Sequence, residues 1–238
     1  MSPINRRSFV GQAAMGLAAL TALGTTADAD AELVYRPSDW KMATFDRILK
    51  HPARVKQVYD VIRINEGNFL DHIKNSLNGL QFGFAIPAEQ IKIVSATHGP
   101  SNLLNYDDYV WEKYQIGAWL KVTDPKTGEP ATRNIFDPSD AGNPPKYTSK
   151  DPNDDSSLYQ DSSLQALRSR GVQFLSCHTA IEGQARAVIH VNKLSQQPEE
   201  VVKDLQAHTL PGVLIVPSMV ASIALLQSEG HFTYITIG

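Results

Sequence analysis

The sequence predicts an α/β fold: a three-layer αβα sandwich around a mainly parallel sheet of about five strands, with one long Pro-rich insertion loop. Three observations predict it. Short apolar runs alternate with helix-like stretches, and such alternation demands a parallel sheet covered on both faces. At 238 residues, 42% hydrophobic and 20% charged, the chain has the composition of one globular domain with a sizeable core. Cys177 is the only cysteine, which excludes an internal disulfide framework and any Cys-pair zinc or cluster site.

Residues 1–31 read as an export signal and not as part of the fold. Arg6 and Arg7 stand in Asn5-Arg-Arg-Ser-Phe9, a mild apolar stretch covers 10–24, and Ala27-Asp-Ala29 and Ala29-Asp-Ala31 offer small-x-small cleavage points. Interrupted by Gly11, Gln12 and Gly16, the apolar stretch falls short of the roughly 20 residues that a membrane-spanning helix needs. An amphipathic N-terminal helix of a cytosolic protein is the other reading. The first looks like a twin-arginine signal, which implies export of the folded protein to a bacterial periplasm. Cleavage after Ala31 removes two arginines and two aspartates, so the net charge of −3 is kept by the mature domain, 32–238.

A polar lead-in, Arg36-Pro-Ser-Asp39, precedes the first predicted strand over 55–64, rich in β-branched and aromatic residues. A helix follows over 68–80, with Phe69, Ile73, Leu77 and Leu80 at helical spacing. The run Ile91-Lys-Ile-Val-Ser-Ala96 predicts the second strand, stopped by His98-Gly-Pro100. Residues 102–119 are of mixed helical character and hold Tyr106, Tyr109, Trp111, Tyr114 and Trp119, a cluster that suits core packing better than a ligand-stacking platform. Residues 121–160, with six prolines among Asp, Gly, Ser and Lys, predict the insertion loop, a lid, binding arm or partner surface. A helix over 162–170 closes at Gly171, and the strand Val172-Gln-Phe-Leu-Ser176 runs directly into Cys177-His178. Helices over 179–191 and 199–207, a strand over 210–216, a helix over 218–228 and a last strand over 232–237 complete the alternation.

In open parallel sheets, ligands bind outside the carboxyl ends of the strands. Three segments bring polar groups there: Thr97-His98-Gly99, Cys177-His178-Thr179 and Pro217-Ser218-Met219. Cys177 is the sharpest, because a thiol between a strand and a helix N-terminus feels the positive end of the helix dipole, which favours thiolate. It reads equally as a small buried hydrophobe. His178 adds a titratable neighbour, and His98 reads as a proton relay or as a turn residue satisfied by backbone. Ser218 lacks a Gly-x-Ser-x-Gly elbow and suits a helix N-cap.

Other chemistries find little support. With 22 Lys and Arg against 25 Asp and Glu and no dense basic stretch, the footprint of a nucleic-acid binder is missing. The histidines show no metal-ligand spacing, and neither a Gly-x-Gly-x-x-Gly nor a phosphate loop occurs, so no metal and no cofactor is expected. Beyond the N-terminal stretch no segment is apolar enough for stable membrane insertion.

Gly171-Val-Gln-Phe-Leu-Ser-Cys177 and Leu210-Pro-Gly-Val-Leu-Ile-Val-Pro-Ser218, followed by Ala221, Leu226-Gln-Ser-Glu-Gly230 and Tyr234-Ile235, resemble the DsrE/DsrF-like (YchN-like) family, with Ile93-Val-Ser-Ala-Thr-His-Gly99 and the Asn78-Gly-Leu80 helix end matching its earlier half. The resemblance covers the chain from Val55 onward apart from the insertion. It implies a homotrimer or homohexamer, and a sulfane-sulfur carrier whose cysteine after the third strand, here Cys177, takes up a persulfide. Two features depart from the family: relay members often carry basic residues soon after the cysteine, whereas here the helix runs Ile181-Glu-Gly-Gln-Ala-Arg186, and relay carriers are usually cytoplasmic. The expectation is therefore a periplasmic sulfur carrier or sulfurtransferase using Cys177, His178 and His98, with Thr97, Gly99, Thr179, Ser218 and Met219 around the ligand. The alternative is a non-catalytic small-ligand-binding or oligomeric partner module of the same fold.

Overall fold

The structure is a computed structural model that describes residues 36–138 and 147–237. The predicted export signal and the middle of the insertion loop lie outside the described residues. Five strands, β1 (Val55–Val61), β2 (Ile91–Thr97), β3 (Gln173–Cys177), β4 (Leu214–Val216) and β5 (Thr233–Thr236), pair in the order β4-β3-β2-β1-β5, all parallel. The helices are α1 (Met42–Leu49), α2 (Asn68–Asn78), α3 (Asp108–Lys113), α4 (Ile116–Leu120), α5 (Leu164–Ser169), α6 (His178–Asn192), α7 (Pro198–Ala207) and α8 (Met219–Ser228). The predicted α/β sandwich is the observed architecture.

Side-chain alternation along each strand divides the core. Tyr59, Val61, Ile93 and Phe174 face α2 and α5, where Phe69, Ile73, Leu77, Leu164 and Leu167 fill the layer. Val58, Val94, Ala96, Leu175 and Val216 face the other way, against Phe45 and Ile48 of α1 and Met219, Ile223 and Leu226 of α8. A third cluster joins α3, α4, α6 and α7 around Trp111, Tyr114, Ile181 and Val201. Tyr106, Trp111 and Tyr114 are fully buried, so these members of the aromatic cluster are core, as their spacing suggested.

Several boundaries differ from the sequence expectation, each for a local reason. The fourth strand shrinks to Leu214–Val216, because Leu210-Pro-Gly212 makes a turn closed by a bond from Val213 N–H to Leu210 C=O, and Pro211 has no amide to donate to a ladder. The helix α1 was not expected at all. It is short, lacks a side-chain N-cap, and owes its place to Phe45, Ile48 and Leu49 covering the sheet. The described parts of the insertion loop are pinned: Asn134 donates to the carbonyls of Leu104 and Tyr106, and Arg133 and Arg168 pair with Asp124 and Asp137. Its backbone at Ala131 lies so close to Gly117 of α4 that a Cβ there would run into the Ala131 carbonyl, so only glycine fits.

Candidate functional site

Right-handed crossovers place a strand's connection on the face set by its direction across the sheet. From β1 to β4 the chain moves steadily toward one edge, with α2, α5, α6 and α7 on one face. It then returns over the opposite face through α8 to reach β5 beside β1. The connections that leave β3 and β4 therefore part to opposite faces. That parting makes the crevice outside the carboxyl ends of neighbouring strands where α/β sheets hold ligands. Cys177 closes β3 opposite Val216 of β4, and Pro217 and Ser218 stand next to it in the fold, at the entry to α8.

Cys177 occupies this junction but not as an open thiol. It is 4% exposed and packs in the α1/α8 layer with Leu175, Val216 and Met219. Its Sγ shares a hydrogen with Thr179 Oγ1 at 2.9 Å, and its N–H donates to Asn102 Oδ1. Of the two readings that its position allowed, the packing is that of a small buried side chain. The next residue in sequence, His178, is met edge-on by the ring of Trp40 at 5.1 Å. Trp40 also lines two hollows: an apolar groove of about 80 Å³ with Phe45, Pro217, Ser218, Ala221 and Leu225, and a wider one of about 370 Å³ with Gln206, Thr209 and Gly212.

His178 is buried, with Nδ1 3.8 Å from Glu182 Oε1. Burial holds its pKa below the ordinary imidazole value, with Glu182 opposing. Ser218 sits at the start of α8 but makes no side-chain cap; only its carbonyl is engaged, by Ser222. Met219 is a core residue at 1% exposure, which removes it from a ligand surface. Thr97 and Gly99 serve the other side of the strand ends. Thr97 Oγ1 donates to the Leu175 carbonyl and accepts from Asn105, while Gly99, at φ +57°, offers its carbonyl to Gln184. Gly99 adopts a left-handed conformation that side chains resist.

That other side is a closed polar network. Asn102 Oδ1 accepts from Ser176 Oγ and Cys177 N–H, and its amide donates to Tyr106 Oη and Gln184 Oε1. Tyr106 donates to the same Gln184 oxygen, and burial keeps its phenol protonated. The network locks the end of β3 and the start of α6, and so fixes the position of Cys177.

On the Cys177 face the sequence missed two residues. Asp60, in β1, receives a bond from Tyr234 of β5 at 2.5 Å on Oδ2, and its Oδ1 lies 2.7 Å from Nε2 of His98. The bond with His98 holds the Asp60 carboxyl below the usual range, and the bond to Asp60 holds the Tyr234 phenol above its own. A lone carboxylate within Val58-Tyr-Asp-Val-Ile62 was the available signal: a charge at the carboxyl end of an apolar strand. The register sets Asp60 beside Ala96 and Ala96 beside Leu175. One alternation further, His98 and Cys177 follow on the same face, so Asp60, His98 and Cys177 step across three adjacent strand ends.

Comparisons with known proteins leave the site to its own geometry. No family model, curated protein or solved structure matches the chain. Among the described residues no group of His, Cys, Asp and Glu is arranged to hold a metal ion, and no helix is long and apolar enough to cross a membrane.

Proposed function

We propose that this protein is a sulfane-sulfur carrier, exported to the periplasm, in which Cys177 receives and hands on a sulfur atom. One observation supports it above the rest: the thiol ends β3 where the connections of β3 and β4 part, beside the first turn of α6, with the Asp60–His98 pair on the neighbouring strands. Amides at a helix start favour the thiolate.

In this scheme Cys177 gives its proton to His98, and the thiolate attacks the outer sulfur of a donor persulfide, R–S–SH. A new S–S bond forms at Cys177 and the donor S–S bond breaks. The leaving thiolate R–S⁻ takes the proton from His98. The products are a Cys177 persulfide and R–SH, with no net oxidation. The covered thiol fits a carrier that shields its cargo between transfers, and in this scheme the Trp40 ring, which meets the adjacent His178, moves aside to admit the donor.

Incubation with a persulfide donor, followed by mass spectrometry, tests the proposal: a gain of one sulfur in the wild type that is missing in Cys177→Ser supports it, and equal behaviour of the two overturns it. A second reading is favoured by the apolar groove beside Trp40 and Ser218, which suits a small apolar ligand held without turnover. Ligand-induced thermal stabilisation that survives Cys177→Ser favours that reading.

A further inference from the structure

Asp60 and Tyr234 have no part in the carrier scheme beyond holding His98, and their arrangement says how. Asp60 is flanked in the sheet by Ala96 and Thr236, its side chain is 15% exposed, and both of its oxygens are engaged, Oδ1 with His98 and Oδ2 with the Tyr234 hydroxyl. An ionised carboxylate only accepts, so the His98 nitrogen that meets it must carry a hydrogen. That nitrogen is Nε2. Nδ1 is then the basic nitrogen of the neutral ring, and among the described residues it has no hydrogen-bond partner. His98 N–H is itself fixed to the Val61 carbonyl, so backbone and ring are both held.

We infer that Asp60 is a positioning residue, steadied by Tyr234, that locks His98 in the Nε2–H tautomer and so presents Nδ1 as the proton acceptor for a thiol on the neighbouring strand end. The assignment of the thiol to Cys177 rests on the carrier proposal; the tautomer does not. The titratable groups that bear on the ring are Asp60 from β1 and Tyr234 from β5 acting through Asp60; Cys177 of β3 lies on the same face of the sheet, one strand away. Asp60 stays ionised through the neutral range because its bond with His98 and, less strongly, that from Tyr234 favour the carboxylate.

Long-range proton–nitrogen NMR of the ring separates the two histidine tautomers. The wild type should show His98 as Nε2–H. In Asp60→Asn the amide can donate to the ring instead, and the Nδ1–H form should become dominant, with Tyr234→Phe giving only partial loss of the Nε2–H signature. The same samples, given a persulfide donor, should show Cys177 persulfidation slowed about tenfold in Asp60→Asn, less than the roughly hundredfold or more that loss of the base itself costs. Asp60→Glu should recover part of both readouts. An unchanged tautomer in a folded Asp60→Asn overturns the positioning role. If the tautomer switches while the wild type takes up no sulfur, the positioning role stands and the carrier proposal fails. Should Asp60→Asn fail to fold, Tyr234→Phe and His98→Gln carry the test: His98→Gln must raise the titration midpoint of the Asp60 carboxyl, and no rise there overturns the pairing.

Discussion

Ser176 and Cys177 are neighbours in β3, yet they belong to two different regions. Ser176 points into a network in which Asn102, Tyr106 and Gln184 bond to one another and to backbone, all of them buried. Cys177 points to the face where Asp60, His98 and Tyr234 are linked in series, with part of each ring in solvent. The difference teaches where stability and reactivity reside. A closed network in a low-dielectric interior rigidifies. A chain of groups with one open nitrogen can exchange a proton.

The largest effect should break the closed side. Asn102→Ala removes an acceptor shared by Ser176 Oγ and Cys177 N–H and leaves Gln184 and Tyr106 short of a donor, so denaturant unfolding should show a loss of about 3 kcal/mol. A loss no greater than that from Asp60→Asn would erase the distinction between the regions. Next comes the ring beside His178. Trp40→Ala deletes the ring that meets His178, and Cys177 should react with a thiol-alkylating reagent about five times faster, corresponding to an aromatic contact of about 1 kcal/mol. Equal labelling rates would mean that Trp40 does not guard the thiol.

The reactive side should respond to pH in a stated direction. The folded pKa of Asp60 lies below its unfolded value, so its contribution is present above about pH 4 and is lost as pH falls through the depressed folded value. The stability gap between wild type and Asp60→Asn, about 1 kcal/mol near neutrality, should therefore close in acid. A gap independent of pH would show that the carboxylate charge contributes nothing. The smallest effect is expected from Tyr234→Phe, where loss of one partly solvated hydrogen bond should cost about 0.5 kcal/mol in thermal or denaturant melts.

Much of the fold was readable in the sequence because strand and helix signals there are local. The β-branched runs read at 55–64 and 91–96, observed as strands over Val55–Val61 and Ile91–Thr97, and the spacing of Phe69, Ile73 and Leu77 depend only on near neighbours. What escaped depends on distant partners. The helix α1 exists because the sheet needs a cover, and the pinning of the loop by Asn134, Arg133 and Arg168 spans the chain. At the site, the strand-to-helix junction at Cys177 was readable from a strand run that ends in a thiol. The choice between a buried and an open thiol was not, since the residues packed against it come from α1, β4 and α8. Asp60 and Tyr234 stand 174 positions apart and meet only because β5 returns to pair with β1.

The most direct measurement is intact-protein mass spectrometry after exposure to a persulfide donor, with and without a reductant, on the wild type and Cys177→Ser. A single added sulfur, released by reductant and confined to chains that keep Cys177, is the predicted result. No addition to the wild type or to Trp40→Ala would contradict the account.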